Sequence, residues 1–480
     1  MSAGFYALAG ALLVGLGALV WFDLTQATRP HPKLLLAAGS SFGLLAWSLF
    51  PRRDRFHAPG PELDPAQHPE LFRLIDSVAQ DAGRARPDAV YLIGDVNAWV
   101  AERGGWMGLG SHQVMAIGEP LLQVLNRAEL RAVLAHEFGH FVGGDTKLGP
   151  WIYKTRSALE RSIEHMEGTL YHLPFLWYGK LFMRVSLGVS RAQEYAADAL
   201  SARFCGSTAA IGALRKITRA SYCHDQYWDR EVVPVLEAGF LPPLTEGFGI
   251  YLSQPGVNRW LDRSFERELA DDVDDLHDTH PSLPKRLEAL EALPPGQPVD
   301  EDEPARGLIE NLVELERIRL ETHNGKVLID ALEPIAWDAV PGQVWVPRWR
   351  RRIEASGPLL DGIALSDLAD PETLEGRLEL VPDDWRESAE NDAELLERAR
   401  WTAAMATVVR LHERGFMISA DPGALPLVHH TDGETFDPLE VLEGVANGDL
   451  EPAAWTQAVG RFQAESLALV STSPTAVRAA

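Results

Sequence analysis

Two uncharged apolar runs stand near the start of the chain. The first covers Ala3 to Phe22 and the second covers Leu34 to Phe50. At a helical rise of 1.5 Å per residue, the roughly 20 residues of the first run span about 30 Å, the thickness of a bilayer's hydrocarbon core. A polar link, Asp23 to Pro32, separates the two runs. The pattern therefore predicts a transmembrane helical hairpin within residues 1–57.

A cleaved signal peptide is the alternative interpretation of the first run. It would need a basic leader, a shorter apolar core and a small-residue cleavage site. No Lys or Arg precedes Ala3, and a second apolar run follows at once, so the hairpin is favoured. Three arginines follow the second run, at positions 52, 53 and 55, against Arg29 and Lys33 near the link. The positive-inside rule then predicts a two-span membrane protein whose main domain is cytoplasmic.

A third apolar stretch, Leu170 to Val189, contains Pro174, Lys180 and Arg184. Charges are costly at the centre of a bilayer, so a third span is not favoured. We interpret the stretch as an amphipathic helix at the bilayer surface. A buried helix of a soluble domain is the alternative.

Strand and helix patterns follow a proline-rich linker at residues 58–69. Apolar residues recur at helical spacing from residue 71 to residue 78. Two β-rich runs, Ala89–Ile93 and Gln113–Ile117, predict strands on either side of a glycine-rich segment. We expect the second strand to be an exposed sheet edge, to which an extended peptide would add as a further strand.

Two helices are predicted after these strands. Asn126-Arg-Ala-Glu129 is a capping box that starts a helix running through His140 and ending near Gly143-Gly144. Ser190 to Phe204 is a second, alanine-rich helix.

A proline-rich and acidic segment, residues 294–304, marks the next boundary. Helical patterns lie beyond it at Leu308–Thr322 and Ala393–Gly415, with short strands expected around Val344–Trp349.

The charge of the chain is uneven. The formal net charge is −25, and roughly four-fifths of that surplus lies after residue 290. Such a surface repels nucleic acid, which argues against DNA and RNA as partners. The two cysteines, Cys205 and Cys223, are too few for a disulfide framework.

The sequence His136-Glu-Phe-Gly-His140 lies in the helix that follows the capping box. Positions i and i+4 share one helix face, so both imidazoles can bind a single metal ion, and Glu137 can reach the metal-bound water without being a ligand. A catalytic zinc has three protein ligands and an open fourth position. Thr146 stands where a metzincin would have its third histidine, which excludes that class.

A downstream glutamate is then the remaining choice for the third ligand. Glu194-Tyr-Ala-Ala-Asp198 places two carboxylates on one face of the second helix. Glu194 is the candidate ligand, and Asp198 would accept a hydrogen bond from a ligand histidine and so fix its tautomer. An ordinary charged, solvent-exposed helix face is the alternative for both residues.

The two motifs, His136-Glu-Phe-Gly-His140 and Ser190-Arg-Ala-Gln-Glu194-Tyr-Ala-Ala-Asp198, together resemble those of the HtpX-like zinc metallopeptidases, relatives of the CAAX prenyl proteases. Asp95-Val-Asn97-Ala98 and Thr279-His280-Pro281 through Arg286 also resemble family signatures. The resemblance covers roughly residues 70–290 and the amino-terminal hairpin. HtpX-like proteins usually have further membrane spans between the zinc motifs, whereas this interval contains only the ambiguous third stretch. The acidic region after residue 290 has no recognised counterpart.

The resemblance implies one Zn²⁺ per chain, with His136, His140 and Glu194 as ligands and Glu137 as the catalytic base. It also suggests that His280 donates to the developing oxyanion, with a non-catalytic turn histidine as the alternative.

Three further residues are expected to support the site or to touch the substrate. Arg286 is expected mainly in a structural ion pair, Asp198 behind a histidine ligand, and Asn97 in a loop above the site or in a local turn.

The overall expectation is an α+β, mainly α-helical protein with three parts. These are a transmembrane hairpin anchor (1–57), an HtpX-like, zincin-like peptidase domain with a small β-sheet (58–293), and an acidic, mostly helical carboxy-terminal domain of unknown role (305–480). The leading hypothesis is a zinc metalloendopeptidase that cleaves unfolded or membrane polypeptides at a lipid bilayer, in protein quality control. The alternative is a catalytically silent or narrowly regulatory scaffold whose carboxy-terminal domain binds a protein partner. A pull-down with residues 305–480 tests that alternative, and capture of no protein would count against it.

Overall fold

The computed structural model describes residues 2–27, 29–50, 56–104, 110–142, 172–270, 281–296 and 303–470, together with Thr155, Leu159 and Ile163. By its internal contacts the chain divides into two units. The first unit comprises Met1–Tyr222 and Asp262–His323, and the second comprises Cys223–Leu261 and Asn324–Ala480.

The chain is mostly helical, with small sheets, as the sequence predicts. The helices are α1 (Ser2–Thr25), α2 (Pro32–Leu49), α3 (Pro69–Asp81), α4 (Glu119–Val124), α5 (Arg127–Val142), α6 (His172–Cys205), α7 (Ser207–Tyr227), α8 (Val233–Glu237), α9 (Leu244–Ser253), α10 (Pro255–Ala270), α11 (Leu283–Glu291), α12 (Leu312–Asn324), α13 (Lys326–Asp330), α14 (Val346–Ala355), α15 (Gly357–Leu360), α16 (Glu372–Glu375), α17 (Asp383–Ser388), α18 (Asp392–Glu413), α19 (Pro438–Ala446) and α20 (Pro452–Arg461). The strands are β1 (Ala89–Ile93), β2 (Ala98–Arg103), β3 (His112–Gly118), β4 (Phe240–Leu241), β5 (Glu333–Pro334), β6 (Met417–Ser419), β7 (Leu427–His429) and β8 (Thr435–Phe436). Short 3₁₀ turns lie at Ala305–Leu308, Leu365–Ala369 and Leu378–Leu380, and π-helical turns at Trp228–Val232 and Pro341–Trp345.

The amino-terminal helices α1 and α2 pack against each other. Within the part of the chain that the structure describes, one helix is long and apolar enough to cross a membrane, and it covers Ala3–Thr25. The link between the helices is held by Asp23, whose carboxylate accepts a hydrogen bond from the His31 backbone N–H at 2.8 Å. The hairpin's two membrane spans remain a prediction.

The third apolar stretch lies in the first half of α6, except for residues 170 and 171, which are outside the described residues. Tyr178 and Phe182 are buried in an apolar cluster with Phe5 of α1 and Leu45 of α2. The sequence predicts a separate helix from Ser190, but α6 continues through that point as one helix of 34 residues. The boundary was expected because the amino-acid composition changes near residue 190. The backbone hydrogen bonds of a helix do not depend on such a change, so the helix continues.

The part of the first unit that follows the amino-terminal helices is built around a three-stranded sheet in the order β1-β3-β2. Strand β3 pairs in parallel with β1 and antiparallel with β2. The expectation that strand 113–117 is a sheet edge is therefore wrong, because β3 is the central strand. The error arose from missing β2, whose sequence AWVAER has no clean alternation of apolar and polar residues. Strand β2 lies at one edge of the described sheet, and α5 packs against it.

The capping box predicted for α5 is confirmed. The Glu129 N–H donates to Asn126 Oδ1 at 2.8 Å, and the Asn126 N–H donates to Glu129 Oε2 at 2.9 Å. Lys216 of α7 also donates to Glu129 Oε2, at 2.7 Å. Helix α5 therefore starts at a defined residue, as the sequence predicts.

The segment after residue 302 crosses the amino-terminal end of α5 before α12 begins. The Ala305 N–H donates to the Leu125 carbonyl, and the Arg127 N–H donates to the Glu303 carbonyl, both at 2.9 Å. Leu308 and Ile309 are buried in the same apolar core as α3, the sheet and α5. Residues 303–323 are thus part of the first unit.

The second unit is organised around α18, against which α14 and α19 pack. Helix α18 matches the predicted helix at 393–415. The strands expected around Val344–Trp349 are wrong, because this stretch forms a π-helical turn and the start of α14. Its valines and tryptophans suit a strand locally, but Trp349 and Ile353 are buried at helical spacing.

We expect Asn126→Ala to lower the free energy of unfolding of the first unit by about 1 kcal/mol, because one helix N–H loses its acceptor. Asn391→Ala is the matched control, since Asn391 Oδ1 caps α18 in the second unit at 3.0 Å. Hydrogen exchange resolved by segment provides the measurement. Exchange should rise along α5 in the first variant and along α18 in the control, and unchanged exchange along α5 would contradict the role of the cap.

Candidate active site

Helices α5 and α6 approach each other closely where the two motifs lie. A Cβ added at Gly139 would stand 2.8 Å from the Cα of Ala197, so any larger residue would push the helices apart. One turn along, the Ser201 hydroxyl donates to the Ala132 carbonyl at 2.7 Å in a buried position. The glycine inside the HExxH sequence therefore has a packing function that the sequence pattern alone did not reveal.

This approach brings His136, His140 and Glu194 together. Their nearest nitrogen and carboxylate oxygen atoms lie within 4.8 Å of one another. The two Nε2 atoms are 3.2 Å apart, and each is 3.6 Å from a Glu194 oxygen. A tetrahedral zinc with bonds of about 2.0–2.1 Å holds its ligand atoms roughly 3.3 Å apart. The group thus fits a zinc ion in both donor type and spacing.

Asp198 and Arg286 lie behind the ligand histidine. Asp198 Oδ1 accepts from His136 Nδ1 at 2.9 Å, which leaves Nε2 directed at Glu194 and His140. Arg286 of α11 donates to both Asp198 oxygens, at 2.8 and 2.7 Å, and its Nη1 is 3.6 Å from Glu194. Arg286 is therefore in the expected ion pair, and the structure identifies its partner.

The charges of this cluster depend on one another. Burial alone lowers the pKa of His136, but its hydrogen bonds to Asp198 and Glu194 outweigh that effect and raise the pKa to about 9. Burial alone raises the pKa of Asp198, but hydrogen bonds from Arg286 and His136 hold it below its usual range. A histidine ligand must be unprotonated, so metal binding displaces a proton here and weakens as the pH falls below about 9.

Glu137 lies outside this group of ligand atoms, half-buried on α5 next to His136. Its negative charge contributes to raising the pKa of His136 and of Arg286. The position agrees with a carboxylate that acts beside a metal without binding it.

Two further residues were predicted to support the site, Asn97 and His280. Asn97 lies in the loop before β2, where its side chain is exposed and its backbone carbonyl accepts from the Gly118 N–H at 2.8 Å. His280 lies outside the described residues, so its oxyanion role stays a prediction.

Comparison with known proteins agrees with this geometry. The profile of peptidase family M48 matches residues 65–293. The chain is 29% identical to Protease HtpX of Mannheimia succiniciproducens over 208 residues, which are 38% of this chain and 72% of that protein. It is 31% identical over 166 residues to Protease HtpX of Idiomarina loihiensis, covering 31% of this chain and 56% of the relative. The match to the Protease HtpX homolog of Pyrococcus furiosus is 28% over 170 residues, with 32% and 57% covered.

We expect Asp198→Asn to weaken zinc affinity about 10- to 100-fold, because His136 loses the carboxylate that orients it. Asp262→Asn makes the same chemical change in the exposed ion pair with Arg219 and serves as the control. Competition with a chelator of known affinity measures both variants, and Glu194→Ala, which removes a ligand, should bind least. Equal affinities of the Asp198 and Asp262 variants would contradict the assignment.

Proposed function

The chain belongs to peptidase family M48, among its HtpX-like members, and on that premise we propose that it is a membrane-anchored zinc metalloendopeptidase. The observation that supports this most strongly is the convergence of His136, His140 and Glu194, with Glu137 beside them. His136, His140 and Glu194 would hold one zinc ion per chain. When bound, zinc supplies Lewis acidity that activates a water molecule and polarises a peptide carbonyl.

Side chains of the protein then transfer the proton that the attacking water releases. Glu137 accepts a proton from the attacking water and passes it to the nitrogen of the departing amine as the peptide bond breaks. Asp198 and Arg286 do not take part in this transfer, because both are engaged in the hydrogen bonds that orient His136. Their contribution is to keep the two ligand helices in one geometry.

Strand β2 is the proposed binding edge for substrate. It pairs with β3 on one side in the described sheet and packs on α5, the helix that carries the HExxH sequence. An extended peptide that adds to β2 would run past the ligand group with its backbone exposed. This mode requires polypeptide without fixed structure, which supports unfolded or membrane proteins as substrates and a role in quality control. The net charge of −25 argues against nucleic acid as a partner.

We expect Glu137→Gln to bind zinc like the wild type and to lose peptide cleavage by at least about 100-fold, because the proton acceptor is gone. Glu129→Gln changes a glutamate of the same helix that lies in the cap and serves as the control. The measurement is turnover of an unfolded protein substrate by the zinc-loaded full chain. Equal turnover by the Glu137 variant and the wild type would exclude this mechanism.

The same inactive variant tests the substrate edge. Peptide added to Glu137→Gln should protect alternate amides of residues 98–103 from hydrogen exchange, because every second N–H of β2 points away from β3 and a bound strand accepts from it. Protection confined to other segments would exclude β2 as the binding edge.

The anchor is the second element of the proposal. The membrane-length helix at Ala3–Thr25 and its partner α2 would hold residues 58–293 at the bilayer surface. The arginines at positions 52, 53 and 55 support a cytoplasmic location for the peptidase domain.

Reporter fusions check the two spans and their orientation. A reporter that is active only when exported should work after residue 30 and fail after residue 60, because the chain would cross the membrane twice. Activity after residue 60 would overturn the cytoplasmic assignment, and activity at neither position would overturn the hairpin.

A further inference from the structure

Arg319 of α12 is a buried cation from beyond the part of the chain that matches family M48. Only 7% of the residue is exposed, although arginine is rarely buried unless it is paired. Its guanidinium forms an ion pair with Glu119, which is 3% exposed and is the first residue of α4. Helix α12 is therefore joined to the peptidase unit by a charged contact inside the protein.

The guanidinium also lies against the backbone that leaves β1. A Cβ added at Gly94 would stand 2.6 Å from Nη1 of Arg319 and 2.8 Å from its Cζ. The stem of the same side chain passes Gly60, where an added Cβ would be 3.7 Å from the Arg319 Cγ and 2.0 Å from the Leu92 carbonyl oxygen. Glycine at position 94 leaves the space that the guanidinium fills, whereas glycine at position 60 is required by the nearby Leu92 carbonyl.

The loop that follows Gly94 determines where β2 starts. The Asn97 N–H donates to the Asp95 carbonyl, and the Gly118 N–H donates to the Asn97 carbonyl, both at 2.8 Å. A Cβ added at Gly118 would stand 2.0 Å from the Asp95 carbonyl oxygen, so the loop is packed tightly on the end of β3. Arg319 contacts both sides of this arrangement, Gly94 before the loop and Glu119 directly after Gly118.

Net stability alone is a weak explanation for such a pair. Buried ion pairs often contribute little compared with apolar residues of similar volume, because both charges lose their hydration. Two more carboxylates, Glu316 on α12 and Asp95 in the loop, add negative charge around Glu119. Burial raises the pKa of Glu119 to about 7, and the charge of Arg319 opposes that shift. The arginine thus provides both the positive charge and the planar group that this position requires.

We propose that Arg319 is a positioning residue of the peptidase site, through which the chain beyond the M48 domain holds the 94–97 loop and sets the place of β2 against α5. The inference rests on the proposed function, in which β2 binds the substrate. Arg319 acts through the loop and touches no reacting atom. Through Arg319, a segment that lies outside the residues matching family M48 becomes part of the substrate cleft.

Arg319→Met keeps the apolar stem and removes the charged fork. We expect this variant to raise KM for an unfolded substrate about tenfold, the effect of losing one backbone hydrogen bond, while kcat and zinc content stay near wild type. Hydrogen exchange should increase across residues 94–103. Arg319→Lys should recover part of the loss, because it restores the charge without the planar contact at Gly94.

Arg317→Met is the matched control, since Arg317 lies on the same helix, has a side chain that is 37% exposed and forms an ion pair one turn away with Glu321 at 3.5 Å. The double variant Glu119→Gln/Arg319→Met removes both charges and covers the case in which the single variant fails to fold. It should show the same rise in KM and in exchange.

Three outcomes overturn the proposal. The first is a KM equal to that of the Arg317 control, even if exchange at 94–103 is faster. The second is a loss of zinc and a fall in kcat that accompany the rise in KM, and the third is unchanged exchange at 94–103. The proposed function fails separately, if the wild-type chain cleaves no better than Glu137→Gln. The exchange measurement needs no activity, so it still decides whether Arg319 holds β2.

Discussion

The close approach of α5 and α6 at Gly139 and Ala197 is the contact on which the candidate site depends. Two imidazoles on one helix and a carboxylate on another can share a metal only if the helix axes are near enough for bonds of about 2 Å. A single added Cβ at Gly139 would meet the Cα of Ala197 at 2.8 Å and separate the helices by more than such bonds tolerate. The three ligands can therefore share a metal only because residue 139 is a glycine.

Close packing of the two helices also brings several charged groups together away from water. The hydrogen bonds of the site offset the free-energy cost of burying these charges. Asp198 accepts from both His136 and Arg286, so that a buried carboxylate, an imidazole and a guanidinium satisfy one another. Burying ionised groups without such partners would cost several kcal/mol each. A metal that binds the folded chain more tightly than the unfolded chain would add stability to the same cluster.

The site draws on parts of the chain that lie far apart in sequence. Helix α6 carries Glu194 in its second half and, in its first half, packs Tyr178 and Phe182 against the apolar residues of α1 and α2. From the other direction, residues 303–323 add Leu308 and Ile309 to the core around α5 and bring Arg319 to the end of the sheet. The peptidase unit is therefore completed by segments on both sides of the residues that match family M48.

The sequence by itself determined the features that depend on local spacing. The capping box at Asn126, the shared helix face of His136 and His140, and the long helix at 393–415 all follow from neighbours three or four residues apart. Tertiary structure decided the rest. Which strand forms the sheet edge depended on β2. The apolar and polar residues of β2 do not alternate clearly, so its sequence does not indicate that it pairs with β3. The partner of Arg286 and the need for glycine at position 139 depended on helices that meet only after folding, because contacts between distant segments leave no periodic trace in the chain.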